Sequence, residues 1–401
     1  MTLISLYTNV HKLVLIEFKN IVFSSLLFIC AIKGNGQKNF KIKFQNWIED
    51  DDRIKVRSWY AESSTSLNNN WDVGITGMVD SISGATPMGR PPTDDKSDWL
   101  AELNEERKAG IINLNKKGDD YDFSFEVGIS DEPDYLSRSY ATKISRRFAK
   151  DTFSVSAGLS YQDDQVDSGV PGGPALGIQS KRTPEVMLGL YRMLDAYSSI
   201  SFNLTYGRPK GYLSDPYKQI GATETLFPGD PLLEQDVFYL YPENRPDKRD
   251  TFTAYLEGKK YFRELKGSLQ TSYRLFADNS NLQGHTIELK WLQRVGEKIV
   301  LQPMYRFYQQ SQSDFYNITL DGTGITPILQ PNGNTPHYSA DYRLSELRAS
   351  TYGLKITYFH KSDLSFDLSL DRYLVSGRDG LTDQRVYPDA RVLTLGMQWE
   401  F

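Results

Sequence analysis

The chain has 401 residues and a mean hydropathy of -0.49, too polar for a bundle of membrane-spanning helices. Its 46 Lys+Arg against 51 Asp+Glu leave a formal charge of -5, which excludes the basic face that nucleic-acid binding requires. Aromatic residues reach 13%, with 25 Tyr, which suits a barrel whose outer band is apolar while its interior and loops are polar.

The N-terminus reads as an export signal. Lys12 and Lys19 precede an apolar stretch over residues 21–32, fit for the core of a signal peptide and too short to cross a bilayer as a helix. Small residues follow at Gly34 and Gly36, which puts cleavage after Gly36 and starts the mature chain at Gln37. Residues 1–36 are expected to be removed, leaving 37–401 as a single outer-membrane barrel domain. Cys30 is the only cysteine, and Ile29 stands where a lipoprotein signal wants a small residue. Cys30 is therefore read as part of the discarded signal, which excludes disulfides and a cysteine nucleophile from the mature protein.

From about residue 40 the dominant pattern is period-two alternation, the mark of strands with two unlike faces. Trp71, Val73, Ile75, Gly77 and Val79 alternate with Asp72, Gly74, Thr76, Met78 and Asp80. Tyr121, Phe123, Phe125, Val127 and Ile129 alternate with Asp122, Ser124, Glu126, Gly128 and Ser130. Late in the chain Leu364, Phe366, Leu368 and Leu370 alternate with Ser365, Asp367, Ser369 and Asp371. The pattern predicts an all-β fold, a transmembrane antiparallel up-and-down β-barrel of about sixteen strands, with 14 or 12 as the alternative counts. The strands are placed at 40–48, 53–66, 71–82, 105–116, 121–131, 135–148, 152–163, 182–193, 197–208, 250–262, 264–276, 284–294, 298–310, 346–360, 363–374 and 388–401. Alternation is patchy in 40–48, 53–66, 105–116 and 135–148.

The connections alternate as well. Short ones at 68–70, 117–120, 150–151, 195–196, 263, 296–297 and 361–362 take turns with a set that includes long stretches at 83–104, 164–181, 209–249, 311–345 and 375–387. This segregation predicts long extracellular loops and short periplasmic turns. Within the first long loop, residues 94–108 form a charged insert for which a helix is one reading. Aromatic residues near strand ends in the outward phase, among them Trp71, Tyr121, Tyr161, Tyr206, Trp291, Tyr305, Phe307, Tyr358 and Trp399, suit two interfacial girdles. Leu393, Leu395, Met397, Trp399 and Phe401 alternate to the end of the sequence. Outer-membrane proteins resemble one another in such a closing strand with a terminal aromatic, so Trp399 and Phe401 are read as the insertion signal for barrel-insertion machinery.

The string Asp80, Ser81, Ile82, Ser83, Gly84, Ala85, Thr86 and Pro87 runs from a strand into a long loop. Ser145, Arg146, Arg147 and Phe148 before a tight turn, then Ser156 to Tyr161, form the next hairpin. Together these resemble an uncharacterised family of bacterial outer-membrane β-barrels known as domain of unknown function 3570, in a Bacteroidetes-like member; the clear resemblance covers residues 45–165. The resemblance implies location and architecture and supplies no catalytic residues. It also implies a neighbourhood of flavin-transfer and thioredoxin-like proteins, and so a redox-linked pathway.

A barrel of this width holds an aqueous lumen. The inward phase includes Asp72, Asp80, Asp122, Glu126, Glu185, Lys266, Arg274, Glu288, Lys290, Arg306, Lys355, Asp367 and Asp371 as lumen-lining candidates. Both signs are present, so neither an anion nor a cation preference follows. A membrane-embedded hydrolase would need a base, usually His, beside Ser or Asp. His285 falls in the outward phase, His337 in a loop and His360 beside a turn, and no motif joins any of them to Ser or Asp. Asp50, Asp51 and Asp52, or Asp163, Asp164 and Asp167, offer oxygen ligands of the kind Ca²⁺ takes, but without a regular loop spacing they read as solvated turns. No catalytic, metal or cofactor-binding residue is assigned. The function expected is a passive pore or a platform presenting long loops in the bacterial outer membrane. The alternatives are a non-conducting component of an assembly, export or redox-linked pathway, and a membrane hydrolase. The partners expected are outer-membrane lipid, lipopolysaccharide and the insertion machinery, with no nucleic acid.

Overall fold

The computed structural model describes residues 38–51, 53–170 and 173–401. The expected signal peptide, with Cys30 and the cleavage site before Gln37, lies outside the described residues, as does Asp52.

Nine strands come first: β1 (Lys38–Glu49), β2 (Lys55–Asn68), β3 (Trp71–Pro87), β4 (Leu100–Lys117), β5 (Tyr121–Asp131), β6 (Tyr135–Phe148), β7 (Phe153–Asp167), β8 (Ile178–Asp195) and β9 (Ser198–Gly207). Three short ones follow, β10 (Lys210–Gly211), β11 (Gln219–Leu226) and β12 (Gln235–Pro242). Seven more complete the wall: β13 (Thr251–Phe262), β14 (Gly267–Asp278), β15 (Gln283–Val295), β16 (Ile299–Gln310), β17 (Leu347–Phe359), β18 (Leu364–Gly377) and β19 (Ala390–Glu400). Each wall strand pairs antiparallel with the next, β9 pairs with β13, and β19 pairs back onto β1 from Asn39↔Glu400 to Glu49↔Ala390. Sixteen strands therefore close into a barrel, which leaves no open edge in the wall.

The outward phase carries the apolar side chains. Phe125, Val127, Leu159, Val186, Leu188, Ile287, Leu354, Leu370 and Leu395 are all exposed. A water-soluble surface does not carry so continuous an apolar belt, since each such side chain favours an apolar environment by about 1.5–3 kcal/mol. The belt is the lipid-facing surface of a membrane barrel. At the end with the short turns, Trp399 stacks on Phe401 at 4.4 Å and Trp291 on Phe262 at 5.7 Å, as interfacial rings do.

Two segments differ from expectation. Residues 94–108 are not helical beyond one 3-10 turn at Lys96–Asp98. β3 runs on to Pro87 and offers ladder partners, Ser83↔Asn104 through Pro87↔Leu100, so the backbone of the insert is satisfied by pairing instead. The stretch 209–249 is no plain loop, because it contains the β11–β12 hairpin.

The Asp80–Pro87 string has a structural account. Asp80 is buried and receives Arg107 Nε at 2.9 Å from the neighbouring strand. Gly84 adopts φ 124°, and a Cβ there would lie 2.3 Å from the Arg53 carbonyl oxygen. Only glycine lets the β1–β2 connection approach so closely. Arg53, thus seated, donates to the carbonyl oxygens of Arg385 and Val386 at 3.1 and 2.7 Å.

Candidate functional site

The ladder register fixes which side chains face the lumen. Asp72, Asp80, Asp122, Glu126, Glu185, Arg274, Glu288, Lys290, Arg306, Lys355, Asp367 and Asp371 all stand in its inward phase. Lys266 does not line the lumen: the β13–β14 ladder ends at Phe262↔Gly267, and Lys266 sits exposed in the turn at φ 48°.

Most of these charges are matched along the wall. Lys117 pairs with Asp72 at 2.9 Å, Arg147 with Asp122 at 3.2 Å, Lys290 with Glu288 at 2.5 Å and Lys355 with Asp367 at 3.1 Å. Ser160 donates to Glu185 at 3.1 Å and Ser369 to Asp371 at 3.2 Å. The side chains of Glu126, Arg274 and Arg306 are exposed and make no hydrogen bond or ion pair among the described residues. Beside Glu126, strands β4 to β9 form a concavity of about 530 Å³ whose lining includes Asn113, Asn115, Ser124, Lys143 and Ser160.

The long-loop end is covered by a cap that sequence reasoning missed. Residues 208–250, with their hairpin, pack against residues 311–346 through Ile220, Ala222, Leu320 and Tyr338. Next to this apolar contact lie three carboxylates, Asp215, Glu243 and Asp341, and three cations, Lys218, Arg245 and Arg343. Arg245 lies 2.6 Å from Glu243 and 2.7 Å from Asp341, and Arg343 lies 2.6 Å from both Asp215 and Asp341. Lys218 donates to the Pro87 carbonyl at 2.6 Å and to Thr86 Oγ1 at 3.1 Å, fastening the hairpin to the rim of β3.

Burial would raise the Asp341 carboxyl, but Arg343, Arg245 and Lys218 hold it well below the usual range. Asp215 is lowered in the same way, burial being outweighed by Arg343 first. Burial pushes Glu243 up, Arg245 only partly opposing it, and burial lowers the Lys218 ammonium. The underside of the cap meets the lumen wall: Tyr342 and Arg343 share a concavity with the inward Trp47, Tyr308 and Tyr373. One local clue to the cap lies in the sequence. Asp341 and Asp383 each begin a 3-10 turn, accept the backbone N–H two residues on, and hold the Arg at that position.

The other candidates do not assemble. Asp50 is held by Arg372 at 2.8 Å and Arg391 at 3.2 Å. Asp163 faces outward toward Arg182, Asp164 faces inward and accepts from Tyr135 at 2.5 Å, and Asp167 accepts from Gly169 N–H. His285 hydrogen-bonds Tyr273 at 2.7 Å on the outer face, and His337 meets the Gly333 carbonyl at 3.0 Å. His360 lies against the Tyr358 ring at 6.3 Å. The described carboxylates that do come within metal-binding reach are Glu105, Glu132 and Asp134, whose oxygens lie within 4.8 Å of one another. Oxygen-only sets of this kind suit Ca²⁺. Here Tyr217 donates to Glu105 at 2.6 Å and Arg107 lies 3.9 Å from Glu132, so protein groups already engage two of the three. Burial raises the Glu132 carboxyl.

Residues 97–401 match the family model described as "Protein of unknown function (DUF3570)". No curated protein matches the sequence. Among solved structures, a loop L8 deletion mutant of OmpT, an outer membrane protein of Vibrio cholerae, is 11% identical, with 91% of this chain and 98% of that chain covered and a TM-score of 0.40. Pseudomonas aeruginosa OprD is 9% identical over 92% of this chain and 97% of that chain, with a TM-score of 0.42. CdiB from Acinetobacter baumannii is 10% identical over 91% of this chain and 60% of that chain, with a TM-score of 0.49.

Proposed function

The chain belongs to the DUF3570 family of outer-membrane β-barrels, and on that premise we propose that it is a passive pore for small polar solutes, with its long loops outside the cell and its short turns in the periplasm. The observation that carries this reading is the trio Glu126, Arg274 and Arg306. Each is a lumen-facing charge without a protein partner, and an unpaired ion is tolerated only where water solvates it. A wall that keeps three such charges supports a hydrated lumen rather than a packed one. The apolar belt supports contact with outer-membrane lipid and lipopolysaccharide, and the outward stack of Trp399 on Phe401 supports engagement of β19 by the insertion machinery.

The proposal includes no enzymatic activity. Its support is that none of His285, His337 and His360 hydrogen-bonds a Ser or an Asp. The test is conductance in planar bilayers. Purified protein should give stepwise channels, and Arg306→Glu with Arg274→Glu should shift the reversal potential toward cation selectivity. Absence of conductance in correctly folded protein would leave the non-conducting assembly role in its place.

A further inference from the structure

The β11–β12 hairpin stands in the cap at the long-loop end, outside the barrel wall. Its two strands are unequal in their surroundings. On β11, Gln219 N–H donates to the Met88 carbonyl and the Gly221 carbonyl accepts from Leu320 N–H. The odd-numbered residues of β11 thus point their backbone groups away from β12 and are satisfied by the rest of the cap. The even-numbered ones turn toward β12, where Ile220 faces Tyr241, Ala222 faces Tyr239 and Glu224 faces Val237.

By the same alternation, Asp236, Phe238 and Leu240 turn their N–H and C=O groups to the far side of β12. No backbone hydrogen bond among the described residues uses those groups, and β12 pairs with no other strand. Apart from the charge of Asp236, the usual protections of an edge are missing too. β12 has no lysine and no bulge, and its only proline is the terminal Pro242.

Two further features indicate what would pair there. The hairpin, residues 219–242, contains Glu224, Asp230, Glu234 and Asp236 and no Lys or Arg. The one described cation stacked on β12 is Arg90, 5.5 Å from the Phe238 ring centroid. The tip also presents Phe227 and Leu233 to solvent and leaves Leu232 92% exposed.

We infer that the free edge of β12 is a docking site for an extended, positively charged polypeptide segment of another protein, which adds to the hairpin as a third strand. Main-chain hydrogen bonds to Asp236, Phe238 and Leu240 supply the pairing. The acidic side chains select for Lys or Arg, and the apolar tip receives apolar residues between them. Lipopolysaccharide, being anionic, is disfavoured by the same charges. The inference does not depend on conduction through the lumen.

The test uses the full barrel in detergent and a fluorescent peptide as long as β12 that alternates Lys and Val, with binding read by anisotropy. Saturable binding is expected. A peptide N-methylated at every residue should bind about tenfold more weakly, since neither of its edges can complete the ladder. Leu240→Pro should weaken the unmodified peptide similarly; the Leu240 N–H points away from β11, so the hairpin itself keeps its bonds. Alternating Glu and Val should abolish binding. Equal binding of the N-methylated peptide, which needs no protein variant, overturns strand addition. Equal binding of the Glu peptide overturns the charge selection. Barrel dimers that form without peptide and vanish in Leu240→Pro would give the edge to a second copy instead and overturn the proposal.

Discussion

Arg245 Nη2 lies 2.7 Å from Asp341 Oδ2 and so joins two outer loops across 96 positions of sequence. Asp341 is almost wholly buried and is the carboxylate on which two guanidinium groups converge. Asp341→Asn would leave three cations facing two carboxylates, and removing one partner of a buried pair costs about 3–5 kcal/mol. Glu243, whose charge burial disfavours, should be replaced by Gln at a fraction of that cost. Hydrogen exchange over residues 311–346 is the measurement. Equal loss of protection in the two variants would contradict the assignment of Asp341 as the centre of the cluster.

The same groups predict a two-phase response to pH. A carboxyl held below its ordinary value contributes stability that is fully present above that value, about 3.9 for Asp, and lost as pH falls below it. Asp215 and Asp341 are such groups. Glu243 is raised, so its protonation on mild acidification relieves a burial penalty and tightens the cap. Protection of the loops should therefore rise slightly as pH falls from neutrality and collapse below about 4. Glu243→Gln should abolish the rise and keep the collapse; a steady decline in the native protein would argue against this division.

Leu368 and Ser369 are neighbours on β18 with opposite surroundings. Leu368 is exposed on the outer face opposite Ile356 and Leu395, whereas Ser369 donates to Asp371 inside. Leu368→Arg should destabilise the barrel by about 2–4 kcal/mol in a urea titration in lipid, and Ser369→Arg should be nearly silent. Equal costs would mean that the two faces are exchanged.

Gly84→Ala tests the rim. Alanine at φ 124° is strained, and its Cβ would meet the Arg53 carbonyl, so a loss of about 1–3 kcal/mol is expected with loosening of the contact from Arg53 to Val386. Gly110→Ala is the control, because its Cβ would come no nearer than 4.0 Å to a neighbour, the Thr76 carbonyl oxygen, and its φ is ordinary. A melt that treats the two alike would remove the special role of Gly84.

The wall was legible because lipid outside and water inside impose opposite demands on alternate residues. Runs such as Phe123 to Ile129 record that directly. Alternation says less about where a ladder stops, which is why a strand expected over 264–276 puts Lys266 in the lumen although it lies beyond the last pair. Residues 94–108 are charged enough to suggest a helix, yet their strand depends on the extension of β3 beside them. The cap was the least legible part. Its cations and carboxylates come from residues 215–245 and 341–343, and nothing local says that the two stretches meet. The Asp-x-Arg pairs at Asp341 and Asp383 were the available hint, since a short turn begun by Asp sets its own Arg within reach.

The pairing of Asn39 with Glu400 governs the order in which this molecule can be made. Strand β1 leaves the ribosome early, yet one of its two edges has no partner until β19 exists. Every intermediate before that moment carries an unfinished sheet margin and an apolar exterior, the combination most prone to clumping. Closure is thus the most non-local pairing in the wall, the kind that is intrinsically slow to form. Until then a second unfinished chain can satisfy the same margin, so dilution favours the closed barrel over clumps.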